Sequence, residues 1–229
     1  IIKWCLNNFK KYVFLTEAMN VVNERKRPYI VMEGMSDRFM ATYKRPFEAK
    51  DIKVVMYAGG LHERYGLKKL TEAFMMLPQE NFRLKLFGSG PFVEKLKTKY
   101  TKKDSRIQYM GVAPNAEVVA AELDASLLVN PRPTHEEFTK YSFPSKNIEY
   151  MASGTPLLTT KLPGMPKEYY PYVFLIENES VEGYAKALES VLAQSDEELY
   201  VFGEKAKDFV LEKKNSFEQA KRVIELIKL

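Results

Sequence analysis

Residues 53–77, KVVMYAGGLHERYGLKKLTEAFMML, decide the fold. A β-rich apolar run, Lys53 to Ala58, ends at the paired glycines Gly59 and Gly60. After a short turn, Leu67, Leu70, Ala73, Phe74 and Leu77 recur at the spacing of one helix face. Strand, glycine turn and amphipathic helix form the unit from which parallel sheets are built.

The same unit recurs on the carboxyl-terminal side. Arg83–Phe87 reads as a strand ending in Gly88-Ser89-Gly90-Pro91, followed by a helix over residues 92–100. A strand at residues 107–110, a helix at 116–123 and a strand at 126–130 follow. Residues 141–160, YSFPSKNIEYMASGTPLLTT, supply the next helix and strand, and residues 173–176 the last strand. Helices at about 181–193, 196–211 and 216–228 close the chain. Toward the amino terminus, residues 11–16 read as a strand, 17–27 as a helix, 28–33 as a second strand and 36–50 as a polar connector. Five or six strand–turn–helix units in residues 51–193 predict an α/β fold, a Rossmann-like parallel sheet with helices on both faces. Ligands of such sheets sit beyond the carboxyl ends of the strands.

Composition agrees with an ordered chain. With 45% hydrophobic and 28% charged residues, 229 residues suffice for one full domain and part of another. One cysteine, Cys5, excludes an internal disulfide and fits a reducing compartment. No apolar run reaches the length of a membrane span. The first residue is Ile, so the sequence is expected to be part of a longer chain. The net charge of +5 falls within residues 1–45, where Lys10, Lys11 and Arg25 to Arg27 cluster. Such a patch suits an anionic membrane surface or solvated helix ends, and nothing in it has the aromatic interleaving of a nucleic-acid binder. Trp4, Leu6 and Phe9 are expected to be exposed and to promote association.

The chemistry-bearing turns are specific in what they exclude. Gly59-Gly60 lacks the Gly-Lys-Ser/Thr of a P-loop, and the dinucleotide fingerprint is absent. A tight turn and an anion site facing a helix amino end both fit the glycines. His62 and His135 lack metal-ligand spacing, and no nucleophile elbow occurs. In the helix after Pro144, residues Ile148, Met151 and Ala152 form the buried stripe, and Gly154 is the expected terminator. Ser145, Lys146 and Glu149 share the adjacent face. Free backbone N–H groups, an ammonium and a carboxylate together complement a phosphate beside a diol, although on spacing alone a solvated helix carboxylate is the expected reading of Glu149.

Five blocks in order carry a resemblance: YAGGLHERYGLKKLTEAF, LKLFGSGP, IQYMGVAP, DASLLVNPR and FPSKNIEYMASGTPLLTTKLPGMPKE. Together they resemble the carboxyl-terminal domain of family 4 nucleotide-sugar glycosyltransferases, one half of a GT-B fold, over about residues 51–215. Residues 11–35 look like the segment that ends the amino-terminal domain of that family. The resemblance implies a remnant of the amino-terminal, acceptor-side domain and linker at 1–45. It implies a nucleotide-sugar-binding domain at 46–214 and a helix at 215–229 packing back on the amino-terminal domain.

It also implies roles. Glu149 matches the second acid of the E-x7-E motif, which holds the donor ribose, while the first acid falls at Tyr141. Backbone groups of Ser142, Phe143 and Pro144, or the acids Glu136 and Glu137, are the expected substitutes. Gly60 matches the loop beside the diphosphate, Arg64 is the nearest basic residue there, and Tyr65 stands where a lysine is usual. Gly88 and Gly90 close the second loop, Val112 matches the segment that touches the base, and Ser145 and Lys146 face the phosphates. The implied activity is retaining transfer from a nucleoside-diphosphate sugar to a saccharide or lipid-linked acceptor in cell-surface polysaccharide synthesis. No cofactor, divalent metal or nucleic acid is expected. A cytoplasmic enzyme working at the inner membrane face, with peripheral membrane contact, fits such acceptors. A nucleotide-sugar epimerase on the same fold and a non-catalytic flavodoxin-like binding module are the alternatives.

Overall fold

The computed structural model describes residues 5–6 and 8–229. Two short parallel strands come first, β1 (Tyr12–Phe14) and β2 (Tyr29–Val31). A larger sheet is built from β3 (Lys53–Ala58), β4 (Phe82–Phe87), β5 (Ile107–Gly111), β6 (Leu127–Asn130), β7 (Leu157–Thr160) and β8 (Phe174–Ile176). Its spatial order is β5-β4-β3-β6-β7-β8 with every pairing parallel. The chain leaves β3 outward in one direction, then returns to start β6 on the other side. The sheet thus has a topological switch point between β3 and β6, where a crevice opens beyond the strand ends.

Alternation along β3 shows why both sheet faces are covered. Val55 and Tyr57 face one core with Leu67, Leu70 and Phe74 of α1 (Leu67–Met75), Phe92 of α2 (Phe92–Lys95) and Leu188 of α5 (Val181–Leu192). Val54, Met56 and Ala58 face the other. There they meet Val119 of α3 (Asn115–Asp124), Ile148 and Met151 of α4 (Ser145–Ser153) and Val210 of α6 (Asp196–Lys213). A strand buried on both faces reads as a continuous apolar run. The helix predicted over 92–100 continues from α2 through a π-helical turn, Leu96–Tyr100, into Thr101–Lys103.

One predicted element differs. Residues 17–27 form a 3₁₀ turn over Glu17–Val22 instead of a helix of that length, with none of its residues buried. Asn23 competes with helix formation: its side chain accepts from the Arg27 N–H (2.8 Å) and donates to the Arg27 carbonyl (2.9 Å), and Lys26 takes φ 49°. Phe9 is exposed as expected, Leu6 is half-buried, and Trp4 lies outside the described residues.

The amino-terminal piece is fastened to the end of the chain. On α7 (Ser216–Lys228), Arg222 donates to the Val31 carbonyl (2.7 Å) and Gln219 to the Gly34 carbonyl (2.9 Å), while Lys11 donates to the Ile227 carbonyl (2.6 Å). Beneath them Lys214 Nζ lies 2.6 Å from Glu33 and 2.6 Å from Glu168, with the Lys214 and Glu33 side chains only 4% and 2% exposed. Tyr169 completes the network by donating to Glu33 (2.5 Å).

Removing one partner of a buried ion pair strands the other charge. Lys214→Ala is therefore expected to cost about 3–5 kcal/mol in urea unfolding. A loss below about 0.5 kcal/mol, the range of a neutral surface change, would contradict a buried tie between the two ends.

Candidate functional site

The crevice walls are loops joined edge to edge. Gly59 N–H donates to the Phe87 carbonyl (3.0 Å), Leu61 N–H to Ser89 (2.8 Å), and Gly88 N–H to Gly111 (2.7 Å), so the turns after β3, β4 and β5 form one surface. Gly88 has φ 121°, and a Cβ there would lie 1.9 Å from the Gly59 carbonyl oxygen. Only glycine allows that approach. Gly90 also packs closely on the Leu61 backbone, where a Cβ would lie 2.3 Å from the carbonyl oxygen. The first turn is then fixed internally, because the Tyr57 hydroxyl donates to the Gly60 carbonyl (3.1 Å). At the outer edge Val112 is 75% exposed, available for an apolar contact.

Opposite this surface stands the amino end of α4. Pro144 occupies the cap position in extended conformation and Gly154 ends the helix at φ 80°. Phe143 and Pro144 are buried, Phe143 against the Tyr169 ring (centroids 5.0 Å apart), so these two residues offer backbone to the crevice while their side chains anchor the turn. Ser142 donates to the Phe138 carbonyl (3.0 Å), and Ser145 is exposed.

A buried tyrosine sets the height of α4 against the sheet. The Tyr150 hydroxyl accepts from the Ala58 N–H (2.8 Å) and donates to the Ala58 carbonyl (3.0 Å), taking both polar groups at the end of β3. Asn130 donates to Asn147 (2.6 Å), tying the end of β6 to the same helix. Neither Tyr150 nor Asn147 was assigned a role from sequence, since a tyrosine within an apolar stripe reads as core. Next to Tyr150, Glu149 is about one-third exposed, and Lys146 Nζ lies 3.1 Å from its carboxylate. Of the predicted phosphate cations, Lys146 is thus engaged with Glu149.

Arg64 is exposed with its guanidinium 4.9 Å from the Phe138 ring. The Tyr65 ring has two guanidiniums near it, those of Arg64 (5.7 Å) and of Arg132 (5.0 Å), the latter from the turn after β6. Arg132 is a basic residue of the crevice that sequence reasoning passed over. Of the two acids suggested for the position vacated at Tyr141, Glu136 lines a cavity of about 180 Å³ with Arg64, Gly66, Lys68 and His135. Glu137 instead pairs with Lys140 (3.5 Å) on the surface. Tyr141 itself is 41% exposed. Among the described residues no group of His, Cys, Asp and Glu side chains forms a metal-binding cluster.

The sequence model of the family described as "Glycosyl transferases group 1" matches residues 41–228. The chain belongs to that family. Escherichia coli WcaL, named as a colanic acid biosynthesis glycosyltransferase, is 30% identical over 112 residues, covering 47% of this chain and 27% of WcaL. Sucrose-phosphate synthase of Thermosynechococcus elongatus has the same fold, with a TM-score of 0.75 at 19% identity over 99% of this chain and 60% of its own. HepE of Anabaena, solved with UDP and glucose, gives 0.73 at 14% over 100% and 67%. The C-terminal domain of a group 1 family protein (LpcC) from Francisella tularensis gives 0.58 at 19% over 72% and 87%. The chain therefore spans about a quarter of WcaL and 60% of the synthase, less than two thirds of either. Among the described residues no helix is long and apolar enough to cross a membrane.

Behind Glu149 lies a second acid that the sequence did not single out. Glu122 on α3 is fully buried, and neither carboxyl oxygen has a hydrogen-bond partner. Burial, reinforced by the Glu149 charge and opposed by Lys146, pushes its pKa up from 4.5 to about 8. The folded chain keeps this proton over a range in which the unfolded chain has lost it, so stability falls as pH rises from about 4.5 to about 8. Glu122→Gln is expected to match wild type near pH 4.5. Above about pH 8 it should be more stable by up to about 5 kcal/mol in urea unfolding. An unchanged pH slope would contradict a proton held at this site.

Proposed function

We propose that residues 46–214 are the nucleotide-sugar-binding, carboxyl-terminal half of a retaining family 4 glycosyltransferase of the GT-B fold. Residues 1–45 then belong to the acceptor-side domain and linker, and 215–229 form the helix that returns to it. The contacts of α7 with β2 favour that division. So does the likeness to the Francisella domain over most of its length. The reaction passes a sugar from a nucleoside diphosphate to a saccharide or lipid-linked acceptor in cell-surface polysaccharide synthesis. The kinship with WcaL favours that setting. The exposed cluster Lys10 and Arg25 to Arg27 suits peripheral contact with an anionic membrane face in the cytoplasm.

The observation that carries the reading is the pairing of Tyr150 with Ala58, which sets Glu149 one turn inside α4 beside the switch-point crevice. There Glu149 would accept from both ribose hydroxyls. Free N–H groups at the start of α4, with Arg64, would face the diphosphate, whose negative charge grows as the sugar departs. Lys146, 3.1 Å away, would hold the Glu149 carboxylate in position.

Glu149→Gln keeps size and helix position while replacing charged acceptors by an amide that presents donors at one edge. With UDP, GDP or ADP, whichever raises the melting temperature of wild type most, calorimetry should show an affinity loss of about 10- to 100-fold. Stability should change by less than about 0.5 kcal/mol, as should both quantities in the exposed control Glu225→Gln. Equal nucleotide affinity in wild type and Glu149→Gln would remove the ribose assignment.

A further inference from the structure

The structure assigns to Arg132 a place in the anion site: together with Arg64 it forms a split guanidinium clamp for the diphosphate of the donor. This rests on the donor reading above for the identity of the anion, while the clamp itself stands on geometry.

Arg132 is held from every side except that of its charge. It lies between Pro131 and Pro133, which limit its backbone. The Tyr184 hydroxyl donates to the Pro131 carbonyl (2.8 Å) and the Thr160 hydroxyl to the Arg132 carbonyl (2.5 Å), pinning the turn to α5 and β7. Gly66, at φ 84°, presses on the same turn so closely that a Cβ would fall 1.8 Å from the Pro131 oxygen. The loop carrying Arg64 and Tyr65 is thereby laid over Arg132.

The side chain then rests on aromatic rings, 5.0 Å from Tyr65 and 5.5 Å from Phe138, and those rings stand 6.4 Å apart at 66°. Arg64 uses the same two rings. Two guanidinium groups are thus gathered on one aromatic pair at the mouth of the crevice. Among the described residues neither forms an ion pair with a carboxylate, and the buried Arg132 Nε has no acceptor within reach. Burial lowers the Arg132 pKa, and the Arg64 charge lowers it further. Ring faces stabilise the cations but accept none of their planar N–H forks. Two such forks, one from each side of the switch point, match the several oxygens of a diphosphate better than a single cation does.

The test uses inorganic pyrophosphate and, as a separate probe, the nucleoside of whichever diphosphate (UDP, GDP or ADP) raises the wild-type melting temperature most, titrated calorimetrically into wild type, Arg132→Gln, Arg132→Lys and Arg64→Gln. Wild type is expected to bind pyrophosphate. Arg132→Gln and Arg64→Gln should each lose about 10- to 100-fold, with a shallower salt dependence. Arg132→Lys should lose less than Arg132→Gln, because the charge remains without the fork. Affinity for that nucleoside should be the same in all four proteins, which a merely structural role of Arg132 would not leave intact. The clamp is overturned if wild type takes up no pyrophosphate, if Arg132→Gln binds it as wild type does, or if affinity for the nucleoside falls in parallel. Failure of the donor reading would look different: nucleotide affinity insensitive to Glu149→Gln, with pyrophosphate binding and its dependence on Arg132 intact.

Discussion

The hydroxyl of Tyr150 takes both polar groups of Ala58, and the arrangement of the crevice depends on that contact. Strand β3 outruns its pairing with β6, whose partners on β3 are Val55 and Met56. At Ala58 a buried N–H and carbonyl would therefore be left without a strand, at a cost of about 1–3 kcal/mol for each unsatisfied group. Supplying them from α4 satisfies the strand end and fixes the helix against it. The residues on either side inherit the position: Gly59 and Gly60 continue from Ala58, and Glu149 precedes Tyr150. Chemistry on two elements that are far apart in sequence is thereby set in one frame.

Glycine does the corresponding work on the opposite wall. The turns after β3, β4 and β5 touch backbone to backbone, which brings the glycine turns and the exposed edge at Val112 into a single surface. Charge is distributed in the same economical way. Glu149 shares Lys146, buried Glu122 stays protonated near neutral pH because burial and Glu149 disfavour a second anion, and the two arginines at the mouth remain without carboxylates. A helix amino end and two guanidiniums then form the positive part of the crevice, with a carboxylate set to one side, an order that suits a phosphate chain leading to a diol.

Much of this was legible in the chain because its signals are local. The apolar run 53–58, the glycine turns and the periodic helices follow from short-range pattern, and the helix at 145–153 with its Gly154 stop was read from cap and stripe. What escaped depends on contacts between distant residues. The 3₁₀ turn at Glu17–Val22 replaced a helix because Asn23 found a better backbone partner in Arg27. Arg132 lies in a proline-flanked turn with no helical or strand period, so nothing in its spacing points to Tyr65 and Phe138. Glu122 reads as one more helix acid, and only the packing of α3 under α4 makes it a buried one. The Lys214–Glu33 pair joins opposite ends of the sequence and has no local signal.

The central claim is that the loops beyond β3, β4 and β5 and the start of α4 form one nucleotide-binding crevice. Amide hydrogen exchange with and without the best-bound nucleoside diphosphate tests it most directly, because slowed exchange reports which backbone segments the ligand orders or covers. The account predicts protection at residues 59–66, 88–90, 111–112 and 142–149 together, with little change along α7. Protection confined to the groove between Glu33 and Pro163 to Glu168, with the strand-end loops exchanging as before, would contradict it.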